Sequence, residues 1–234
     1  FGVLYLEGDL PGGRLVDSDH ARALALAPVA APALELARLR ATHERQAQEL
    51  AEALDKYRQA AREAGTDALT GLANRRSFLE HAERQTAIAT RYGAPYAVLM
   101  LDLDRFKACN DLHGHAAGDL VLRLVAEVLG RSIRQPDLAA RYGGEEFVIL
   151  CPNTDARKAA LLAERVRRAI AGAVPQPSAD VPVPPPGVTA SLGVATFRPG
   201  DDHVAAVIDR ADRALYRAKR AGRDRVVVAE AIEA

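Results

Sequence analysis

Neither sign of charge dominates this chain: Lys and Arg number 31, Asp and Glu number 31, and the formal net charge is zero. Without a whole-molecule field, nothing draws the protein to a nucleic acid polymer or an anionic membrane, so any anion must be held by a local site. Cysteine is scarce. Cys109 and Cys151 show neither C-x-x-C nor zinc-ligand spacing, which excludes a disulfide scaffold and points to free, buried thiols in a reducing, cytoplasmic compartment. No apolar run approaches the roughly 18 residues that a membrane helix needs, and no charged segment leads into an apolar signal core. No internal repeat is visible. An initiator Met is also missing: the chain starts at Phe1 and reads as a fragment, with any anchor or sensor lying upstream.

What is present is ordinary globular composition, 49% hydrophobic and 26% charged over 234 residues, enough for one domain with an appendage. Residues 1–17 contain the β-prone run Gly2-Val3-Leu4-Tyr5-Leu6, broken at Pro11-Gly12-Gly13, and read as a strand and loop left from a preceding domain. Residues 18–65 are rich in helix formers, interrupted at Pro28 and Pro32. Leu50, Leu54, Tyr57, Ala61 and Ala64 step by four and three residues, the seam of a short coiled coil, with Leu36 and Leu39 in another register. An amphipathic helix packed on its own domain is the alternative. Residues 66–234 alternate strand and helix patterns. Strands are expected at Tyr96–Leu101, Leu138–Tyr142, Phe147–Cys151, Val188–Phe197 and Arg225–Ala229. Helices are expected at Ser77–Tyr92, His115–Ile133, Ala156–Ala173 and His203–Ala221. Val174–Gly187 holds six of the 13 prolines and reads as an exposed loop.

Two clusters could carry chemistry. Asp102 and Asp104 end the apolar strand, and alternation puts both carboxylates on one face with Leu103 on the other, a site for a hard cation. Asp104 could equally cap the short helical pattern Arg105–Asp111. In the second cluster, Gly143-Gly144 joins two apolar strands and suits a two-residue turn with positive φ angles that lets a ligand approach closely. Glu145 and Glu146 follow, facing opposite ways, with Glu145 the better candidate to join Asp102. Alone, this would be an acidic surface hairpin.

Its companions make the pattern specific. Asp67-Ala-Leu-Thr-Gly-Leu-Ala-Asn-Arg-Arg76 resembles the opening D-x-L-T-G-L-x-N-R-R motif of GGDEF diguanylate cyclase domains. Asp102-Leu-Asp-Arg-Phe-Lys-Ala-Cys-Asn-Asp111, with Gly114-His115 and Gly118-Asp119, resembles that family's D-x-D-x-F-K-x-x-N-D-x-x-G-H-x-x-G-D block. Gly143 to Phe147 resembles the signature itself, with Glu in the variable place, and Ala211 to Arg223 resembles the terminal A-D-x-A-L-Y-x-A-K-x-x-G-R block. Residues 1–40 weakly resemble the last strand and helix of a GAF-type sensor.

The resemblance implies an α/β fold with a central, mainly antiparallel sheet of about five strands flanked by helices, behind a long signalling helix. It implies condensation of two GTP into cyclic di-GMP and two pyrophosphates by a homodimer assembled through the N-terminal helix. Two Mg2+ or Mn2+ ions per site are implied, held by Asp102, the Leu103 carbonyl, Glu145 and Glu146. Catalytic roles fall to Glu145, Glu146 and Lys107. The amides of Arg105, Phe106 and Lys107 would cradle the phosphates, and Lys219 and Arg223, at i and i+4 on one helical face, would contact the γ-phosphate. Asn110 and Asp119 would select guanine, since a carboxylate accepts from its N1 and amino groups, a donor pair adenine lacks. His115 lines the site or starts its helix. Arg134-Gln-Pro-Asp137 matches the family's R-x-x-D product-inhibition site, with Arg165 as a secondary arginine; outside this frame it would be a surface ion pair. The rival function is a catalytically inactive domain acting as a cyclic di-GMP receptor.

Overall fold

The computed structural model describes residues 28, 32, 35–51, 65–177, 181, 183, 185 and 187–229. The chain divides into two compact units, Phe1–Ala61 and Arg62–Ala234. In the first, residues 35–51 are helical and exposed, an Arg45–Glu49 pair one turn apart lies on their surface, and Leu36, Leu39 and Leu50 are more than half exposed. The expected strand at 2–6 and the seam positions Leu54, Tyr57, Ala61 and Ala64 lie outside the described residues. No described helix is long and apolar enough to cross a membrane.

The second unit is a six-stranded sheet in the order β1-β3-β4-β2-β5-β6. The strands are β1 (Ala73–Asn74), β2 (Tyr96–Leu103), β3 (Leu138–Arg141), β4 (Glu146–Pro152), β5 (Ala190–Thr196) and β6 (Val226–Val228). The four central strands pair antiparallel, while β1 joins β3 and β6 joins β5 in parallel. The expected antiparallel centre is present, with one more strand than expected: the two-residue β1 is too short to leave a periodic signal.

Five helices cover the sheet: α1 (Arg75–Tyr92), α2 (Phe106–His113), α3 (His115–Ser132), α4 (Ala156–Ala171) and α5 (Val204–Arg220). Asn74 starts α1 by accepting the Ser77 N–H at 3.0 Å, and Gly93 ends it at φ 69°, a left-handed position that glycine takes without strain. Strand alternation sorts the core into two layers. Ala97, Leu99, Leu101 and Leu103 of β2 face Val121, Val125 and Leu129 of α3 and Leu162, Val166 and Ile170 of α4. Tyr96, Val98 and Met100 face Phe78 and Ala82 of α1 and Val207, Ala211 and Leu215 of α5. Asp102 has the parity of Met100. It therefore leaves the sheet on the α5 side, and this places the site.

Candidate active site

Asp102 sits near the end of β2, 5% exposed, in register with Glu146 of β4 and Ser191 of β5. Burial pushes its carboxyl above the usual aspartate range, and Lys219 works against the shift. Lys219 reaches it from the last turn of α5, Nζ 2.6 Å from Oδ2. Its seat depends on Gly193 of β5, where a Cβ would overlap the Ala211 carbonyl and the Leu215 amide of α5. Only glycine lets this helix lie so close to the sheet.

Glu145 arrives from the β3–β4 hairpin. The Leu103 N–H donates to its carbonyl at 3.3 Å, continuing the β2–β4 ladder one step beyond the strands. Partial burial, then the nearby Asp102 charge, raise the Glu145 carboxyl above its usual range, while Lys219 opposes them. Asp102, Glu145 and Lys219 thus share one electrostatic neighbourhood: two partly dehydrated carboxylates around one ammonium.

The hairpin differs from the expected two-residue turn. Neither Gly143 nor Gly144 has positive φ, and residues 142–145 separate the strands. The turn is held instead by Arg141, whose Nε and Nη2 donate to the Gly144 carbonyl at 3.1 and 2.7 Å. Arg141 Nη1 reaches Asp67 at 3.2 Å. Asp67 also accepts from the N–H and hydroxyl of Thr70, and despite burial these donors and Arg141 hold its carboxyl below the ordinary range. The opening motif is therefore a brace for the hairpin. A Cβ at Gly143 would lie 2.6 Å from Glu146 Oε2, so the Glu146 carboxylate folds back over the turn and would have to swing away from any larger residue there.

Asp104 is neither a helix cap nor free to bind a cation. Its carboxylate accepts from Thr189 Oγ1 at 2.7 Å, Ser191 Oγ at 2.7 Å and the Asp224 N–H at 3.0 Å. Thr189 and Ser191, two apart, share a face, and this Thr-x-Ser spacing was the signal available in the sequence. Position 105 caps α2 instead, with Arg105 at φ 58° and no side-chain cap bond. With no side-chain cap at this end, the first amides of α2, at Phe106 and Lys107, are available to an anion, as helix starts commonly are. Lys107 is exposed.

Asn110 on α2 and Asp119 on α3 flank the packed pair of helices. The Asn110 Oδ1 is buried and lacks a partner, and it occupies the space that a Cβ on Gly118 would need. A buried acceptor without a partner calls for an explanation such as a ligand contact, and Asp119, half-buried, follows Gly118 in the chain. His115 is exposed at the first residue of α3.

Lys219 and Arg223 do not share a helical face, since α5 ends at Arg220 and Arg223 stands in the following turn at φ 63°. Lys219 alone contacts Asp102; the Arg223 charge also favours the ionised Asp102 carboxylate, more weakly. On the far side, Arg134 Nη2 donates to Asp137 Oδ1 at 3.1 Å and to Thr154 Oγ1 at 3.0 Å. Asp137 is buried and takes the Arg134 N–H as well, while Arg134 keeps half its side chain exposed. Arg165 donates to the Ser132 carbonyl at 2.6 Å, which sets it beside this loop.

Among the described residues, no group of three or more His, Cys, Asp or Glu side chains is arranged to hold a metal ion. The geometry is consistent with this: Asp104 is engaged by three donors and Glu146 is turned back toward Gly143. What remains is Asp102 with Glu145. That donor set suits Mg2+, which is commonly bound by one or two carboxylates and completed by substrate phosphates.

Residues 64–225 match the family described as the GGDEF domain of diguanylate cyclases. The chain is 47% identical over 164 residues to diguanylate cyclase DgcP of Pseudomonas aeruginosa, an overlap of 70% of this chain and 24% of DgcP. The chain thus spans only about a quarter of that curated relative, and 35% of response regulator PleD of Caulobacter vibrioides, to which 162 residues, 69% of this chain, are 40% identical. Among solved structures, the coiled coil and GGDEF domain of DgcB from Caulobacter crescentus, in complex with c-di-GMP, superposes with a TM-score of 0.74 at 36% identity, covering 82% of this chain and 99% of DgcB's. With the hairpin, its brace and the paired carboxylates in place, these likenesses show that the chain belongs to the GGDEF-domain family of diguanylate cyclases.

Proposed function

We propose that this domain is an active diguanylate cyclase, joining two GTP molecules held on two facing copies into cyclic di-GMP with release of two pyrophosphates. The observation that carries this is the convergence of Asp102, Glu145 and Lys219 at one end of the sheet. In each half-reaction a ribose 3′ oxygen bonds to the partner's α-phosphorus as the bond to pyrophosphate breaks. Glu145 takes the 3′ proton, and a carboxyl already raised by burial and by Asp102 is the better base for it. Asp119 accepts from the guanine N1 and amino groups and Asn110 completes the base contact, favouring GTP over ATP. The amides of Arg105, Phe106 and Lys107 cradle the phosphates, with the Lys107, Lys219 and Arg223 charges around them. Two Mg2+ or Mn2+ ions, held by Asp102, the Leu103 carbonyl, Glu145 and, once swung out from Gly143, Glu146, would acidify the 3′ hydroxyl and neutralise phosphate charge.

The exposed fork of Arg134, steadied by buried Asp137, is suited to the O6/N7 edge of a guanine, with Arg165 beside it as a second contact for product. This is the basis for feedback inhibition. Two copies associate through the N-terminal helix, whose exposed leucines need a partner. The test of the enzyme reading is Glu145→Gln: it should fold as the wild type does yet lose at least about a hundredfold in turnover. Undiminished synthesis in this variant would refute the assignment of the base. In parallel, Arg134→Ala should keep its initial rate but accumulate more product late in the reaction, and identical progress curves would count against the inhibitory site.

A further inference from the structure

The turn that carries Arg223 is unusual in its backbone. Gly222, Arg223 and Asp224 have φ of 116°, 63° and 43° in succession, so two side-chain-bearing residues stand in the left-handed region, which such residues occupy only when their surroundings fix them there. Two anchors do so. The Asp224 N–H donates to Asp104, which is itself held by the hydroxyls of Thr189 and Ser191. The Asp224 carboxylate takes Nη1 of Arg167 at 2.5 Å, and Arg167 is itself clamped on α4 by Glu164 through Nε and Nη2 at 2.9 and 2.8 Å. The Arg167 side chain is 17% exposed and that of Asp224 43%, so the pair is shielded on the α4 side and open to solvent on the turn side. A third bond closes the turn, Arg225 Nε donating to the Arg223 carbonyl at 2.9 Å.

We propose that Arg167 and Asp224 are positioning residues for nucleotide polyphosphate: they touch no substrate, and they hold the 222–224 turn so that Arg223 stays on the wall of the cavity that Asp104 and Arg105 also line. This rests on the GTP reading of the site. It gives a task to an ion-pair network on α4 that lies away from the hairpin, and it separates recognition of the phosphate tail from recognition of the base, which lies on α2 and α3.

The experiment is titration calorimetry with magnesium, using a non-hydrolysable GTP analogue, GMP and the corresponding ATP analogue, on the wild type, Arg167→Gln, Arg167→Lys and Asp224→Asn, with melting curves to verify folding. The two neutral variants should lose about tenfold in affinity for the GTP analogue, the scale expected when a binding group is misplaced, while GMP stays within about twofold. Arg167→Lys should recover part of the loss. An unchanged ratio of triphosphate to monophosphate affinity in folded Arg167→Gln and Asp224→Asn would overturn the proposal, as would an equal loss for both ligands. A wild type that fails to prefer the GTP analogue over the ATP analogue would instead overturn the nucleotide reading, and this proposal with it.

Discussion

At the residue scale, the site is built from side chains whose partners define what they are free to do. Asn110 and Gly118 illustrate it: the missing Cβ at 118 is the space in which the Asn110 Oδ1 sits without a partner. Gly118→Ala must displace Asn110 or the Phe106 ring, whose Cζ would be 3.1 Å away. It should therefore cost about 1–3 kcal/mol of stability and weaken GTP binding with it, measurable by urea denaturation and nucleotide titration. Glu164 gives a pH prediction. Hydrogen bonds from Arg167, then Arg168, lower its carboxyl from 4.5 to about 2. A group depressed in the folded state adds stability above its unfolded pKa and loses it as pH falls through the folded value. Wild-type stability should thus drop between pH 4.5 and about 2, and Glu164→Gln should show a shallower drop over that window in denaturation curves. The placement of Asp102 and Glu145 at one end of the sheet was legible in the sequence, because both lie in spaced motifs at strand ends. The role of Asp104 was not: its three donors come from residues 85, 87 and 120 positions away, and local pattern alone offers the cap.

At the scale of elements, alternation and helical periodicity set most strands and helices within two or three residues, since each buries a face against one of the two core layers. The misses have physical causes. The strand β1 pairs with β3 where Arg141 meets Asp67, a contact across 74 residues that local pattern does not reveal. Extending the helical face to Arg223 failed because the chain leaves α5 at Ala221, and Arg223 stands in the following turn. Gly193 is the hinge of this arrangement. Gly193→Ala should push α5 off β5, lower the melting temperature, and reduce turnover by more than stability alone explains, since Lys219 rides on the same helix. A variant with wild-type melting and turnover would contradict the account of how α5 is seated.

At the scale of the molecule, one domain presents a single half of the proposed reaction, and two must face each other. The described helix at 35–51 leaves Leu36, Leu39 and Leu50 exposed, and a heptad seam gains its burial only from a second helix. Leu50→Lys should shift the protein toward monomer in sedimentation and make specific activity fall at low protein concentration. The central claim is the condensation itself, and its most direct test is the stoichiometry of products from GTP and magnesium, with cyclic di-GMP followed by chromatography and pyrophosphate by an enzymatic assay. The account predicts two pyrophosphates for each cyclic di-GMP, and no cyclic product from ATP alone. Pyrophosphate or phosphate released without cyclic di-GMP, or no turnover by a verified dimer, would contradict it.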